Sequence, residues 1–401
     1  MKKTETIKLG FISGLSGVYS WSAQNQLQGV ILATQEMNKN GGIDGRQIEI
    51  IIRDDETKPE LAAKLTRKLI QEDKADFIIG GLSADTQLWI NKETRAAGKI
   101  FMSLGQSNDL TKAQNLGPYT FHHALTPYMT VQGTGKWVFE NLGKDWFIIV
   151  ADYAWGQAVQ KDYENLSKRM GARCVGVAKT PFPLKGKEDI MKHVPEILRK
   201  KPEVLIGANY GAEQLIFMEV ANKMGLKRKM SIVNTLSEIN VIERVPPEEA
   251  VGMYWGVSFY WGLADILPAA KKFVSAYQRR FGQVPSSYSA YGYSGACEIF
   301  YAIRKLGTYP IDAAAVSREL EGRTFSHYKT PEWWRPCDHQ AFQDHYILKL
   351  KGTEERKNKN DISEIIGTTS WELDFERTCE ALGHQKNTWG HIDPPPPSYA
   401  N

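Results

Sequence analysis

The chain has 401 residues, 42% of them hydrophobic and 24% charged, which is enough apolar material for two globular domains. Its 50 lysines and arginines stand against 46 acids, with both signs scattered, so the concentrated basic stripe of a nucleic-acid binder is excluded. No apolar run approaches the roughly 20 residues that cross a bilayer. The N-terminal stretch Met1 to Thr6 lacks the apolar segment of a signal peptide, and the first strand begins at once at Ile7, which predicts the mature form of an exported protein.

In chain order, short β-branched and aromatic runs predict strands at 7–12, 48–52, 76–80 and 100–103, with helices at 25–38 and 58–72 between them. The rhythm breaks near Pro118 to His123 and restarts with strands at 146–151, 204–207 and 231–234 and a helix at 212–224. Strand and helix in alternation predict parallel sheets covered on both faces, and the restart predicts two similar α/β lobes. An aromatic run from Tyr254 to Trp261 follows, read as packing at a second crossing between lobes, then helices at 267–281 and 288–306 that return to the first lobe. Residues 351–360 are highly charged, Pro394 to Pro397 is a proline run, and the chain from 371 onward reads as a peripheral tail.

Four cysteines stand at 174, 297, 337 and 379, without CxxC or zinc-finger spacing. In an exported chain, Cys337 and Cys379, both in late irregular sequence, are the candidate pair for a disulfide tying the tail to the body. Cys174 and Cys297, in strand-like and helix-like contexts, read as core thiols.

Ligands of open α/β sheets bind at the carboxyl ends of the strands. Three first-half loops at such ends are small, polar and glycine-bearing: Ser13 to Trp21, Gly80 to Gln87 and Ser103 to Asn108. Glycine admits a ligand close to the backbone, and serine at a helix start suits an anion such as a carboxylate; ordinary caps and turns use the same residues. The corresponding second-half loops, Asp152 to Gly156, Asn209 to Ala212 and Leu236 to Glu238, carry aromatic and acidic groups. These fit either a wall that grips an apolar group and an ammonium, or simple packing between helix and loop.

The opening through Gly29, the turn Asn40-Gly41-Gly42-Ile43-Asp44-Gly45-Arg46 with the strand after it to Asp55, the loop Gly80 to Gln87 and the restart after 120 resemble the periplasmic branched-chain amino-acid binding protein family of ABC transporters, over roughly residues 6–350. The resemblance implies a type I periplasmic binding fold: α/β, with two doubly wound, Rossmann-like lobes joined by a three-strand hinge. On that pattern lobe 1 is 6–121 with 255–327, lobe 2 is 122–254 with 328–370, and 371–401 is the tail. It implies a receptor in which lobe 1 captures a small carboxylate through Ser83, Gly105 and Ser107 and lobe 2 closes over it for a membrane permease. Tyr19 or Trp21 in the first loop, Trp155 and Tyr210 in the second lobe are the implied aromatic contacts, and Glu238 falls where the family pairs an acid with a ligand ammonium. The cysteine that some members carry near position 53 is absent. An amino acid is the implied ligand; an aromatic or other carboxylate without an ammonium, favoured by Trp155 and Trp21, is the rival, and a cytoplasmic amide or amino-acid sensor would use the same lobes.

Enzymatic motifs fail. There is no Walker loop or GxGxxG, and Gly81-Leu82-Ser83-Ala84-Asp85 has Asp85 where a nucleophile elbow needs glycine. Cys337, Asp338, His339 and His345 have metal-ligand types without an established spacing and read as a capped turn before a strand; His122 and His123 read as packing at the first crossing. No catalytic residue, cofactor or metal is expected.

Overall fold

Apolar and β-branched runs set the strands, and the amphipathic stretches between them set the helices. The computed structural model describes residues 6–307, 309–370 and 378–384. They divide into two units: the first takes the described residues of 1–125, 263–343 and 375–401, the second those of 126–262 and 344–374.

The chain enters the first unit as β1 (Ile7–Ser13), α1 (Ser20–Lys39), β2 (Ile48–Asp54), α2 (Pro59–Gln71), β3 (Phe77–Gly80), α3 (Ala84–Ala96), β4 (Phe101–Ser103) and β5 (Thr120–His122). The strands form one parallel sheet in the order β2-β1-β3-β4-β5. Every residue of β3 and β4 is buried, as inner parallel strands between helical layers require, while the edge strand β2 is half exposed.

The second unit begins with α4 (Pro127–Asn141), capped by the Thr126 hydroxyl, which accepts from the Met129 N–H at 3.1 Å. It continues through β6 (Asp145–Ala151), α5 (Ala154–Met170), β7 (Arg173–Thr180), the short α6 (Glu188–Met191) and α7 (Val194–Lys200), β8 (Val204–Ala208), α8 (Ala212–Lys223), β9 (Ser231–Asn234), the short α9 (Ile239–Ile242) and α10 (Pro247–Ala250), and β10 (Tyr254–Val257). Of the aromatic run Tyr254 to Trp261, read as packing at the second crossing, Tyr254–Val257 form an interior strand, and the chain passes to the first unit just after the run, at 262/263. Trp255 is fully buried and its indole N–H donates to Ser363 Oγ at 2.9 Å.

Back in the first unit come α11 (Pro268–Phe281), α12 (Ser287–Leu306), α13 (Ala313–Leu320) and three short antiparallel strands, β11 (Thr324–Phe325), β12 (Glu332–Trp334) and β13 (Ala341–Phe342). Helices α1 and α12 meet backbone to backbone: a Cβ on Gly29 would lie 2.0 Å from Ser289 O, and one on Gly292 2.1 Å from Gln26 O. Only glycine permits that approach. The chain ends its second visit to the other unit with β14 (His345–Leu350) and β15 (Ser363–Thr369), antiparallel additions that complete a seven-stranded sheet, β15-β14-β10-β9-β8-β6-β7.

Residues 328–343, assigned from the sequence to the second lobe, pack in the first unit. A buried polar network holds them there. The Glu298 carboxylate on α12 accepts from Arg323 Nε at 3.1 and 3.2 Å, His327 Nε2 at 2.8 Å and Trp334 Nε1 at 3.0 Å. Tyr328 donates to Glu332 at 2.7 Å, Lys329 to Gln343 Oε1 at 2.8 Å, and Gln343 Nε2 to His123 O at 2.6 Å.

Cys337 and Cys379 are bridged, with their Cα atoms 6.0 Å apart. The bridge seats 378–384 against the loop after β4: His384 Nε2 lies 2.7 Å from Thr111 O, and the Ala113 N–H donates to Leu382 O. The rest of the tail expected from 371, including the proline run, lies outside the described residues. Cys174 is not a core thiol as expected but exposed, because β7 is the edge of its sheet; Cys297, on α12, is largely covered. Among the described residues no helix is long and apolar enough to cross a membrane.

Candidate functional site

All three polar loops expected in the first unit follow the carboxyl ends of β1, β3 and β4, and two buried glutamines tie them together. Gln26 on α1 accepts from Ser13 Oγ at 2.8 Å and donates to Gly81 O at 3.2 Å and Leu104 O at 3.1 Å. Gln87 on α3 accepts from Ser103 Oγ at 2.5 Å and donates to Leu82 O, Ser83 O and Gln106 O at 3.1 to 3.4 Å. Each amide satisfies several buried carbonyls at once, so neither side chain can be shortened without orphaning backbone acceptors.

Ser83 is the residue before α3, in extended conformation, and its hydroxyl makes no capping bond to the helix. Half-buried at a helix N-terminus, it is placed to donate to an anion. Gly105 presses against this loop: a Cβ there would lie 2.2 Å from Leu82 O and 2.7 Å from Gln87 Nε2. Ser107 is buried, and its oxygen accepts from the N–H groups of Asp109 and Leu110 at 3.2 and 3.3 Å, leaving its proton to be donated. Tyr19 directly precedes α1 and is buried, and Trp21 lies half-buried in that helix's first turn.

His122 supports this arrangement without having been singled out for it. Its Nε2 lies 2.6 Å from Gly105 O and its Nδ1 2.6 Å from Gln340 Oε1, while burial pushes its pKa down. His122 and His123 both belong to the first unit. Two aspartates brace the first loop from β2. Asp54 Oδ1 accepts from the Ser16 and Glu56 N–H groups; these bonds hold its pKa below the usual value although burial acts the other way. Asp55 is fully buried, with Oδ1 accepting from the Thr57 N–H at 2.8 Å and Oδ2 unpartnered among the described residues, and burial pushes its pKa up to about 6.

In the second unit Trp155 sits in the first turn of α5 and Tyr210 just before α8, their rings 6.4 Å apart at 59°. Two rings not chosen from the sequence extend the cluster: Tyr153 lies 6.2 Å from Trp155, and Phe182 stacks on Tyr153 at 4.1 Å and 19°. Glu238 follows β9, is buried, and starts α9, its carbonyl accepting from Val241 and Ile242 N–H. Gln214 fixes that loop by donating to Leu236 O at 2.8 Å and accepting from Ser237 Oγ at 2.6 Å.

The potential metal ligands are otherwise engaged. Cys337 is in the disulfide, Asp338 pairs with Arg335 and His339 lies 2.9 Å from Thr120 O; His345, in the second unit, lies 2.8 Å from Thr134 Oγ1. Among the described residues no group of three or more such side chains is placed to hold a metal ion.

A Leu/Ile/Val-binding protein homolog (homolog 7) of Brucella abortus strain 2308 is 26% identical over 329 residues, covering 78% of this chain and 80% of that protein. An amino acid ABC transporter substrate-binding protein from Pseudomonas fluorescens Pf-5 superposes with a TM-score of 0.87 at 20% identity, covering 95% of this chain and 99% of its own. A solute-binding protein of an ABC transporter from R. palustris, in complex with benzoate, superposes at 0.81 and 19% identity, covering 91% and 97%. These likenesses show a type I periplasmic binding fold. Residues 6–357 match the periplasmic binding protein family, and the chain belongs to that family.

Proposed function

We propose that this protein is an extracytoplasmic solute receptor of an ABC importer and that it binds a small carboxylate without transforming it. The observation that carries the reading is Ser83, whose hydroxyl stands uncapped at the N-terminus of α3 beside Gly105 and Ser107, in loops locked by Gln26 and Gln87. Donors that are fixed in place lose little entropy when an anion arrives. The bridged Cys337 and Cys379 and the family membership support an oxidising, extracytoplasmic setting, and a membrane permease is the partner that such a receptor serves.

A calorimetric or thermal-shift panel of amino acids and aromatic acids tests this directly. A ligand at 100 times its Kd adds about 2.7 kcal/mol of stability. Ser83→Ala is expected to weaken binding of the best ligand about tenfold or more, in line with loss of a hydrogen bond to a charged group at about 1.5–3 kcal/mol, with its melting temperature unchanged. Unaltered affinity in that variant removes Ser83 from the site.

The first reading of the ligand is an amino acid, as the Brucella relative and the Pseudomonas structure are named for, with Glu238 as partner of the ammonium. The second is an aromatic acid, favoured by the ring cluster at Tyr153, Trp155, Phe182 and Tyr210 and by the benzoate bound to the R. palustris neighbour. Glu238→Gln separates them. An ammonium ligand is expected to lose about 2–5 kcal/mol of binding free energy when a buried charge partner is removed, and an acid without an ammonium is expected to bind the variant as it binds the parent protein.

A further inference from the structure

We infer that residues 181–187 carry a specificity device: Phe182 completes an aromatic wall that selects a planar ring, and Glu213 is the positioning residue that holds it in place. The inference rests on the carboxylate reading above and names the part of the ligand that the second unit recognises.

Three observations within that unit support it. The rings form a connected series, Phe182 on Tyr153 at 4.1 Å and 19°, Tyr153 to Trp155 at 6.2 Å and 28°, and Trp155 to Tyr210 at 6.4 Å and 59°. The near-parallel pairs stack, and the last pair is tilted, so the series joins Phe182 to the two positions where the sequence resemblance placed aromatic ligand contacts. Such a surface suits a flat ring, whose quadrupole finds partners in offset or edge contacts, better than a branched aliphatic side chain.

The second observation is the anchor of the segment. Phe182 lies just past β7, and the next bonded backbone group, the Leu184 N–H, donates to Glu213 Oε1 at 2.8 Å. Glu213 is in the first turn of α8, three residues after Tyr210, so one side chain fixes the segment bearing Phe182 to the helix that begins beside Tyr210. Third, Glu213 is largely buried, and Asn209 lies between the same elements. Asn209 Nδ2 reaches Thr180 Oγ1 at 3.2 Å and Glu213 Oε2 at 3.4 Å, so the end of β7, the end of β8 and the start of α8 are bonded together. Burial pushes the Glu213 pKa up, against the Leu184 and Asn209 bonds that act to lower it. A surface-facing acid with only a solubility role has no need of these partners.

The test compares ligands matched except for planarity: benzoate against cyclohexanecarboxylate, and phenylalanine against cyclohexylalanine, titrated into the full chain by calorimetry. The expected result is that at least one planar member binds about tenfold more tightly than its saturated match. Phe182→Ala is expected to reduce that ratio to about twofold with an unchanged melting temperature. Glu213→Ala is expected to do the same, and Glu213→Gln, which keeps an acceptor for Leu184 N–H, to restore most of it. A merely structural Glu213 would lower stability and both affinities together, leaving the ratio intact, and that outcome overturns its assignment. Equal affinity for planar and saturated ligands, a Phe182→Ala ratio equal to the parent's, or binding of leucine by a protein that takes neither planar acid overturns the ring selection and leaves the carboxylate receptor standing. Failure of every carboxylate in the panel to bind overturns both.

Discussion

Replacing Glu298 with alanine is expected to destabilise the protein by about 3–5 kcal/mol, the cost of breaking a buried charged network by removing one partner. Glu298 is fully buried, and its two oxygens accept from Arg323, His327 and Trp334. Without the carboxylate, the indole N–H of the fully buried Trp334 and a partly buried guanidinium are left facing a cavity. Glu298→Gln, which keeps one oxygen acceptor, is expected to lose less than the alanine variant. Urea denaturation followed by tryptophan fluorescence measures both, and an alanine variant that unfolds at the parent's midpoint would show that the network contributes no net stability. Ligand selectivity measured below the unfolding range is expected to stay at the parent's value, since the proposed ring contacts lie in the other unit.

Asp55→Asn acts in the opposite direction and depends on pH. The Asp55 carboxyl has its pKa raised from 3.8 to about 6 by burial, so the folded state holds the proton more tightly than the unfolded chain does. The stability this contributes is fully present below pH 3.8 and is lost as pH rises through 6, because the folded state must then carry a buried, half-partnered anion. A difference of about two pKa units corresponds to about 3 kcal/mol. Asparagine keeps the oxygen that accepts from Thr57 N–H and cannot ionise. The variant is expected to be more stable than the parent at pH 7.5 by up to about 3 kcal/mol, with the advantage shrinking towards pH 4. Melting temperatures from pH 4 to 8 check this, and an advantage that stays constant across the range would assign the effect to something other than ionisation. The neighbouring Asp54, with its pKa lowered, works the other way, losing its contribution as pH falls, so Asp54→Asn is no substitute control.

What the sequence made legible follows from where burial is uniform. The inner strands β1, β3, β4, β6, β8 and β9 are mostly apolar because both faces are covered, and each was placed within a residue or two from composition. The edge strand β2 was placed as well, at 48–52, but β7, β11, β13 and β15 were not. The first five residues of β7 are exposed or half-exposed, β15 reads Ser-Glu-Ile-Ile-Gly-Thr-Thr, and β11 and β13 are two residues long, so none carries a strong strand signal. The same cause misplaced Cys174, which sits in apolar company on a strand with no neighbour beyond it. The boundary at 328 differs because the groups that hold 328–343 in the first unit are Trp334 on Glu298, His339 on Thr120, Gln340 on Ala124 and Gln343 on His123, contacts that only tertiary packing reveals.

The site divides along similar lines. Ser83, Gly105 and Ser107 were named from the family resemblance, on loops whose small residues ordinary caps and turns also use. Gln26, inside a predicted helix, Gln87, at the end of a polar loop, and Phe182 were not among the residues that the sequence singled out. Each makes its contacts with carbonyls or rings distant in sequence, for which local pattern offers no sign.

The glycine contact between α1 and α12 bears on how the protein comes to be made. Asn25 on α1 and Ser289 on α12 are hydrogen-bonded across 264 residues of sequence. The whole first pass through the second unit, residues 126–262, is synthesised between them. Until α12 emerges, the face of α1 around Gly29 lacks the partner that covers it in the folded protein. Contacts so distant in sequence slow folding and leave apolar surface open to aggregation. The segment 378–384 sits against Thr111 and Ala113, and the bridge from Cys379 to Cys337 ties it there. The loop proposed to receive the carboxylate is thus braced by a segment about 270 residues further along the chain, His384 against Thr111, and its support is completed only when that late sequence is in place.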